Sequence, residues 1–95
     1  MANYLTIPEV TDAEDLVSFS TSGDRAFNVV INAGATATWL FQAAANGTRI
    51  PLVALMTDAG TFALDEVYVS SAQIGGGSGD SYVSITFDAQ EVRRI

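Results

Sequence analysis

The 95 residues carry 11 acids against four arginines, a net charge of −7, and contain no histidine, lysine or cysteine. That length supports one domain, residues 1–95, and the missing residue types remove disulfides, thiolate metal sites and thiol catalysis. Without a basic patch the chain is not expected to bind nucleic acid or an anionic membrane surface.

The first ten residues, MANYLTIPEV, hold no basic segment followed by an apolar one. No signal peptide is therefore expected, and no run approaches the ~18 apolar residues of a membrane span. The hydrophobic fraction of 48% is slightly more than a thin core needs. Part of it is expected on surfaces covered by partners.

Along the chain the dominant signal is alternation with period two, the mark of half-buried strands. Leu5 and Ile7 alternate with Tyr4 and Thr6. Pro8–Asp15 reads as a loop. Val17 and Phe19 then alternate with Leu16, Ser18 and Ser20, and after a loop at Thr21–Arg25 so do Phe27, Val29 and Ile31 with their neighbours.

One helix is predicted over about 36–46, TATWLFQAAAN, from its alanine, leucine and glutamine content. Thr36 or Thr38 would cap its start and Gly47 would take the left-handed position after its end. Trp39, Leu40 and Ala43 share the face that packs on the sheet.

Ile50–Met56 (IPLVALM) does not alternate, and Pro51 near its start favours a strand covered on both faces over a helix. Asp58–Gly60 is a turn. In Thr61–Ser71 the apolar positions change phase, from Phe62 and Leu64 to Val67 and Val69, so the strand bends or bulges at Asp65-Glu66. Gly75–Asp80 (GGGSGD) is a hairpin connection, and Val83, Ile85, Phe87 and Ala89 mark the last strand, with a second phase break at Val92.

The candidate chemistry is thin. A phosphate loop needs a lysine and a hydroxyl opening a helix, whereas Gly79 leads to Asp80 and a strand. The calcium-repeat pattern needs a spacer residue and tandem copies, and both are missing. Asp65 and Glu66 are adjacent on a strand and point to opposite faces, so they cannot share a proton. A serine nucleophile would have only a carboxylate as base. Asn46-Gly47-Thr48 fits a glycosylation sequon at a helix end. No catalytic, cofactor or metal site is assigned, and the chain is not expected to be an enzyme.

The order of elements after residue 35 resembles the haemolysin-coregulated proteins, the tube-forming subunits of type VI secretion systems, which are similar in fold to phage tail-tube proteins. The resemblance is carried by Thr36 to Gly47 with Leu40 and Ala43, then Phe62–Ser71 (FALDEVYVSS), the glycine-rich connector ending in Gly79-Asp80, and Ser81–Phe87 (SYVSITF). It implies a mostly β fold, a two-sheet β-barrel or sandwich with one short flanking helix. It also implies a hexameric ring that stacks into the inner tube of a contractile injection system. The chain is shorter than typical members, which implies loss of an N-terminal strand and of the extended loop used between rings.

The expected partner is the chain itself, with sheath, baseplate or spike proteins beyond it. Its expected location is the bacterial cytoplasm, followed by secretion through the apparatus or incorporation in a virion. Val53, Leu55, Tyr68, Tyr82, Arg93 and Arg94 are the candidate assembly residues, with the odd face of Ile50–Met56 as interface and the arginines meeting a neighbour's acids. The alternative readings are a phage decoration or head–tail connector protein and a small secreted binding module.

Overall fold

The computed structural model of the chain describes residues 3–8, 10–77 and 80–95. Its elements are β1 (Tyr4–Ile7), β2 (Thr11–Thr21), β3 (Ala26–Asn32), α1 (Ala35–Asn46), β4 (Arg49–Thr57), β5 (Gly60–Gly77) and β6 (Asp80–Arg94). The six strands close into a barrel in the order β1-β2-β3-β6-β5-β4, every neighbouring pair antiparallel. The fold is mostly β with one short helix, as the alternation and the helix-forming segment predict.

Alternation places the core. Leu5 and Ile7, Phe27, Val29 and Ile31, and Val83, Ile85 and Phe87 all point inward and are buried. Leu40 and Ala43 of α1 are buried against the same cluster, and Trp39 packs at its margin. Phe19, Phe27 and Phe62 gather with ring centroids 5.9–6.4 Å apart, bringing β2, β3 and β5 together in one aromatic contact.

The phase change in β5 is one part of a corner that crosses three strands. Inward residues switch parity between Ile50 and Val53 on β4, between Leu64 and Val67 on β5, and between Ala89 and the half-buried Val92 on β6. The pairings Ile50↔Val67 and Leu52↔Asp65, like Asp65↔Glu91 and Val67↔Ala89, keep one register on both sides of the corner. The strands therefore turn in step, without an inserted residue. Glu66 absorbs the turn with φ 53, a left-handed conformation that costs a non-glycine residue roughly 1–2 kcal/mol. A register shift in β5 does occur, between Val69 and Ser71.

Four local expectations are corrected. The acidic segment read as a loop before residue 16 is mostly strand, because Thr11, Glu14 and Asp15 pair with β1. Neither threonine caps α1 with its side chain: the N-cap is Gly34, Thr36 is buried, and the Thr38 hydroxyl donates back to the Gly34 carbonyl at 3.0 Å. The glycine-rich connector is mostly ladder, since β5 runs through Gly77 and β6 begins at Asp80, while residues 78 and 79 lie outside the described residues. Val17 does not share the inward face with Phe19; the register shift between Leu16 and Ser18 leaves it 56% exposed.

At the other helix end the expectation holds. Gly47 adopts φ 66 and its N–H donates to the Ala43 carbonyl, closing the last turn.

Candidate assembly interface

Strand lengths are unequal, and this leaves part of the barrel unfinished. β5 pairs with β4 only as far as Tyr68, yet continues to Gly77 against β6. β2 pairs with β1 only up to Asp15, yet continues to Thr21 against β3. β2 thus runs past β1 at the Thr57 end of β4, and β5 runs past β4 at its Arg49 end. Leu16 N–H still donates to the Asn3 carbonyl at 2.9 Å, but among the described residues no strand pairs with the outer edges beyond it, Val17–Thr21 on one side and Ser71–Gly77 on the other. Such unpaired edges are templates for another chain.

Across β2-β3-β6-β5 the register defines a row: Leu16↔Ile31, Ile31↔Val83 and Val83↔Ile74. Its inner members are buried, but Ile74 at the β5 edge is 72% exposed, because β4 has already ended there. The result is a groove of about 340 Å³ between α1 and the β5–β6 hairpin, with Ala37, Phe41, Ile74 and Val83 among its walls and, among the described residues, no titratable side chain lining it. On the opposite face of the sheet, the Ser71 hydroxyl donates to Thr86 Oγ1 at 3.2 Å and Thr86 Oγ1 to Asn28 Oδ1 at 2.8 Å. That ladder ties β5, β6 and β3 together.

The candidate residues separate into two groups. Val53 and Leu55 have no exposed surface in the folded chain, because the odd face of β4 points into the barrel. They are core, which corrects their reading as interface residues. The even face, Leu52, Ala54 and Met56, is half-buried on the barrel's outside. Tyr68, Tyr82, Arg93 and Arg94 are exposed, Tyr82 beside Gly75 across the β5–β6 ladder.

The arginines are already engaged within the chain. Arg93 donates to both Asp65 carboxylate oxygens, at 2.8 and 3.1 Å, and holds that carboxyl below the usual carboxylate range. Arg94 donates to the Ala59 carbonyl at 3.0 Å and stands over the Phe62 ring. Arg49 donates twice to the Tyr68 hydroxyl, at 2.8 and 3.0 Å, with Glu66 3.6 Å away. Arg25 reaches the Gln90 carbonyl at 3.3 Å. Asp65 and Glu66 thus face different arginines, as their opposite orientation requires.

Val17, Phe41 and Ile74 escaped the sequence reading. Phe41 lies one position beyond the helix face taken as buried, and Val17 matches the alternation that the bulge then interrupts. The unequal lengths of the two long strands could have been read only from their pairing.

No protein-family model and no curated protein matches the sequence. Solved structures do match. Hcp2 from Salmonella typhimurium superposes with a TM-score of 0.86 over 99% of this chain and 85% of its own, at 13% identity. The fold is the Hcp fold. A type VI secretion system effector from Yersinia pestis matches at 0.85, over 95% of this chain and 84% of its own, with 11% identity. The secreted protein Hcp3 from Pseudomonas aeruginosa matches at 0.76, over 96% and 87%, with 12% identity. The likeness reaches through β1, β2 and β3, well before the segment from residue 35 where the sequence resemblance begins.

Proposed function

We propose that this chain is an Hcp-type tube subunit of a type VI secretion or related contractile system, assembling head to tail into a ring of about six copies. The observation that carries this reading is the match of nearly the whole chain to Hcp structures. The two unpaired edges support it independently. Strand directions alternate across β2-β3-β6-β5, so β5 of one copy and β2 of the next meet antiparallel and continue the ladder. One patch meeting a different patch is the contact that closes rings. On this reading the chain is structural and not an enzyme, and it accumulates in the bacterial cytoplasm before secretion through the apparatus. Sheath, baseplate and spike proteins are its further partners.

Mass measurement in solution, followed by negative-stain imaging, tests the proposal. A species of about six copies forming annular particles is the expected result. A monomer at high concentration would refute it, and trimers would favour a decoration protein. Stacked rings in the images would extend the reading from ring to tube.

A further inference from the structure

The junction after α1 holds a pair of residues whose covalent chemistry is controlled by the fold. Asn46 is the last residue of the helix and is exposed, and Gly47 follows it in the left-handed region with φ 66 and ψ 30. Glycine has no Cβ, so no side chain on residue 47 shields its backbone nitrogen from the neighbouring Asn46 carboxamide. In the folded chain that nitrogen is occupied, because the Gly47 N–H donates to the Ala43 carbonyl. The Thr48 N–H donates to the same oxygen at 3.0 Å and closes the turn a second time.

The reaction open to such a pair is loss of the side-chain amide. The Gly47 nitrogen gives its proton to solvent, and its electron pair forms a bond to Asn46 Cγ. The side-chain nitrogen takes a proton from water and leaves as ammonia, which produces a cyclic imide. Water then opens the imide. Attack at the Asn46 backbone carbonyl breaks that carbon's bond to nitrogen and gives isoaspartate, whereas attack at Cγ gives aspartate. Solvent water is the only co-reactant.

We propose that Asn46 is a deamidation site held shut by the C-terminal cap of α1, reacting when the last helical turn opens. Helix ends are among the parts of a fold that open most readily. The product would also weaken the cap that restrained it. α1 has no basic residue in its last turn, so a new carboxylate meets the negative end of the helix dipole without a counter-charge. Residues 26–48 hold no ionisable side chain, and conversion adds a negative charge there to a net −7. Isoaspartate inserts a further carbon into the backbone just before Gly47, away from the geometry the cap requires. Asn28 and Asn32 provide the contrast: they precede Val29 and Ala33, and the Asn28 carboxamide oxygen accepts from Thr86 across the β3–β6 ladder.

Cleavage after arginine releases residues 26–49, which carry Asn28, Asn32 and Asn46 in one peptide. The full chain is incubated in mildly alkaline buffer, folded and in guanidinium chloride, and that peptide is followed by mass spectrometry. In denaturant Asn46 should convert well ahead of the other two, and equal conversion of all three would overturn the site. In the folded chain its rate should be lower by about tenfold or more. Equal rates in the two conditions would overturn the guard. Ala45→Gly loosens the last turn at an exposed position and leaves the reacting pair intact. It should speed conversion about fivefold in the folded chain and leave the rate in denaturant unchanged. A folded rate unmoved by Ala45→Gly, in a chain that retains its circular dichroism, would show that the reaction does not pass through opening of the cap. None of these readouts depends on oligomeric state, so this inference and the ring reading fail separately.

Discussion

The two long strands β2 and β5 each have a closed end, paired on both sides, and an open end with one bare edge. Where β1 and β4 complete the circle, Leu5, Val53, Leu55 and Leu64 have no exposed surface. Where β2 and β5 run past those partners, side chains on the same strands stand open: Val17 at 56% and Ile74 at 72%. Burial here follows from strand length more than from residue type, because Leu64 and Ile74 share β5 and are equally apolar. The closed ends stabilise the single chain, and the bare edges of the open ends contribute only when something covers them.

The largest expected effect therefore belongs to the closed end. Leu55→Ala removes a fully buried side chain facing Phe62 across the β4–β5 ladder and should cost about 2–5 kcal/mol of unfolding free energy. Urea denaturation of the unassembled chain measures it. A loss below about 1 kcal/mol, with assembly impaired instead, would restore Leu55 to the interface and undo the division between the two ends.

A smaller effect is expected at the junction that leads from α1 into β4. Gly47→Ala places a Cβ in open space but on a backbone with φ 66, so strain acts without a clash. The expected cost is about 1 kcal/mol. A shift in the urea midpoint with an unchanged slope would show it. No shift would mean that the helix end relaxes, and that the closed end does not depend on this cap.

At the open end, Ile74→Ser should change the stability of the unassembled chain by less than about 0.5 kcal/mol, since the side chain has little native packing to lose. The same variant should reduce the oligomer fraction by mass measurement. Equal loss of stability and assembly would show that the open end is ordinary core after all.

These contrasts also mark what could be read from residues alone. The inward sets of β1, β3 and β6 were legible because alternation is a local property of a strand with one covered face. The corner at Asp65-Glu66 was legible in β5 for the same reason. On β6 the same corner showed as the phase break at Val92, whereas its passage through Pro51 on β4 was not legible, because the continuous apolar run there has no alternation to break. IPLVALM was read as covered on both faces, yet one chain buries Val53 and Leu55 and leaves Leu52, Ala54 and Met56 half-covered. The outer aromatic and arginine positions were found, whereas Val17 was misplaced by a one-residue slip that reverses facing. The groove depends on β4 ending nine ladder positions before β5, a tertiary fact.

The smallest expected effect concerns Asp65 and Arg93, an exposed ion pair outside the closed end. The hydrogen bonds from Arg93 lower the Asp65 pKa in the folded chain, with desolvation opposing and the guanidinium charge reinforcing the shift. A depressed folded value means that the pair stabilises the chain above the unfolded carboxylate pKa, about 3.9. The contribution is lost as pH falls through the folded value. Asp65→Asn should consequently be less stable than the parent near neutral pH, with the difference shrinking as the solution is brought toward pH ~3. Added salt should shrink it as well, because exposed pairs are screened. Urea midpoints for both chains at the two pH values decide the matter. A difference that is constant with pH would show that Asp65 acts through packing beside Ala63 and Leu64 rather than through its charge, and the outer face of β5 would then belong with the closed core.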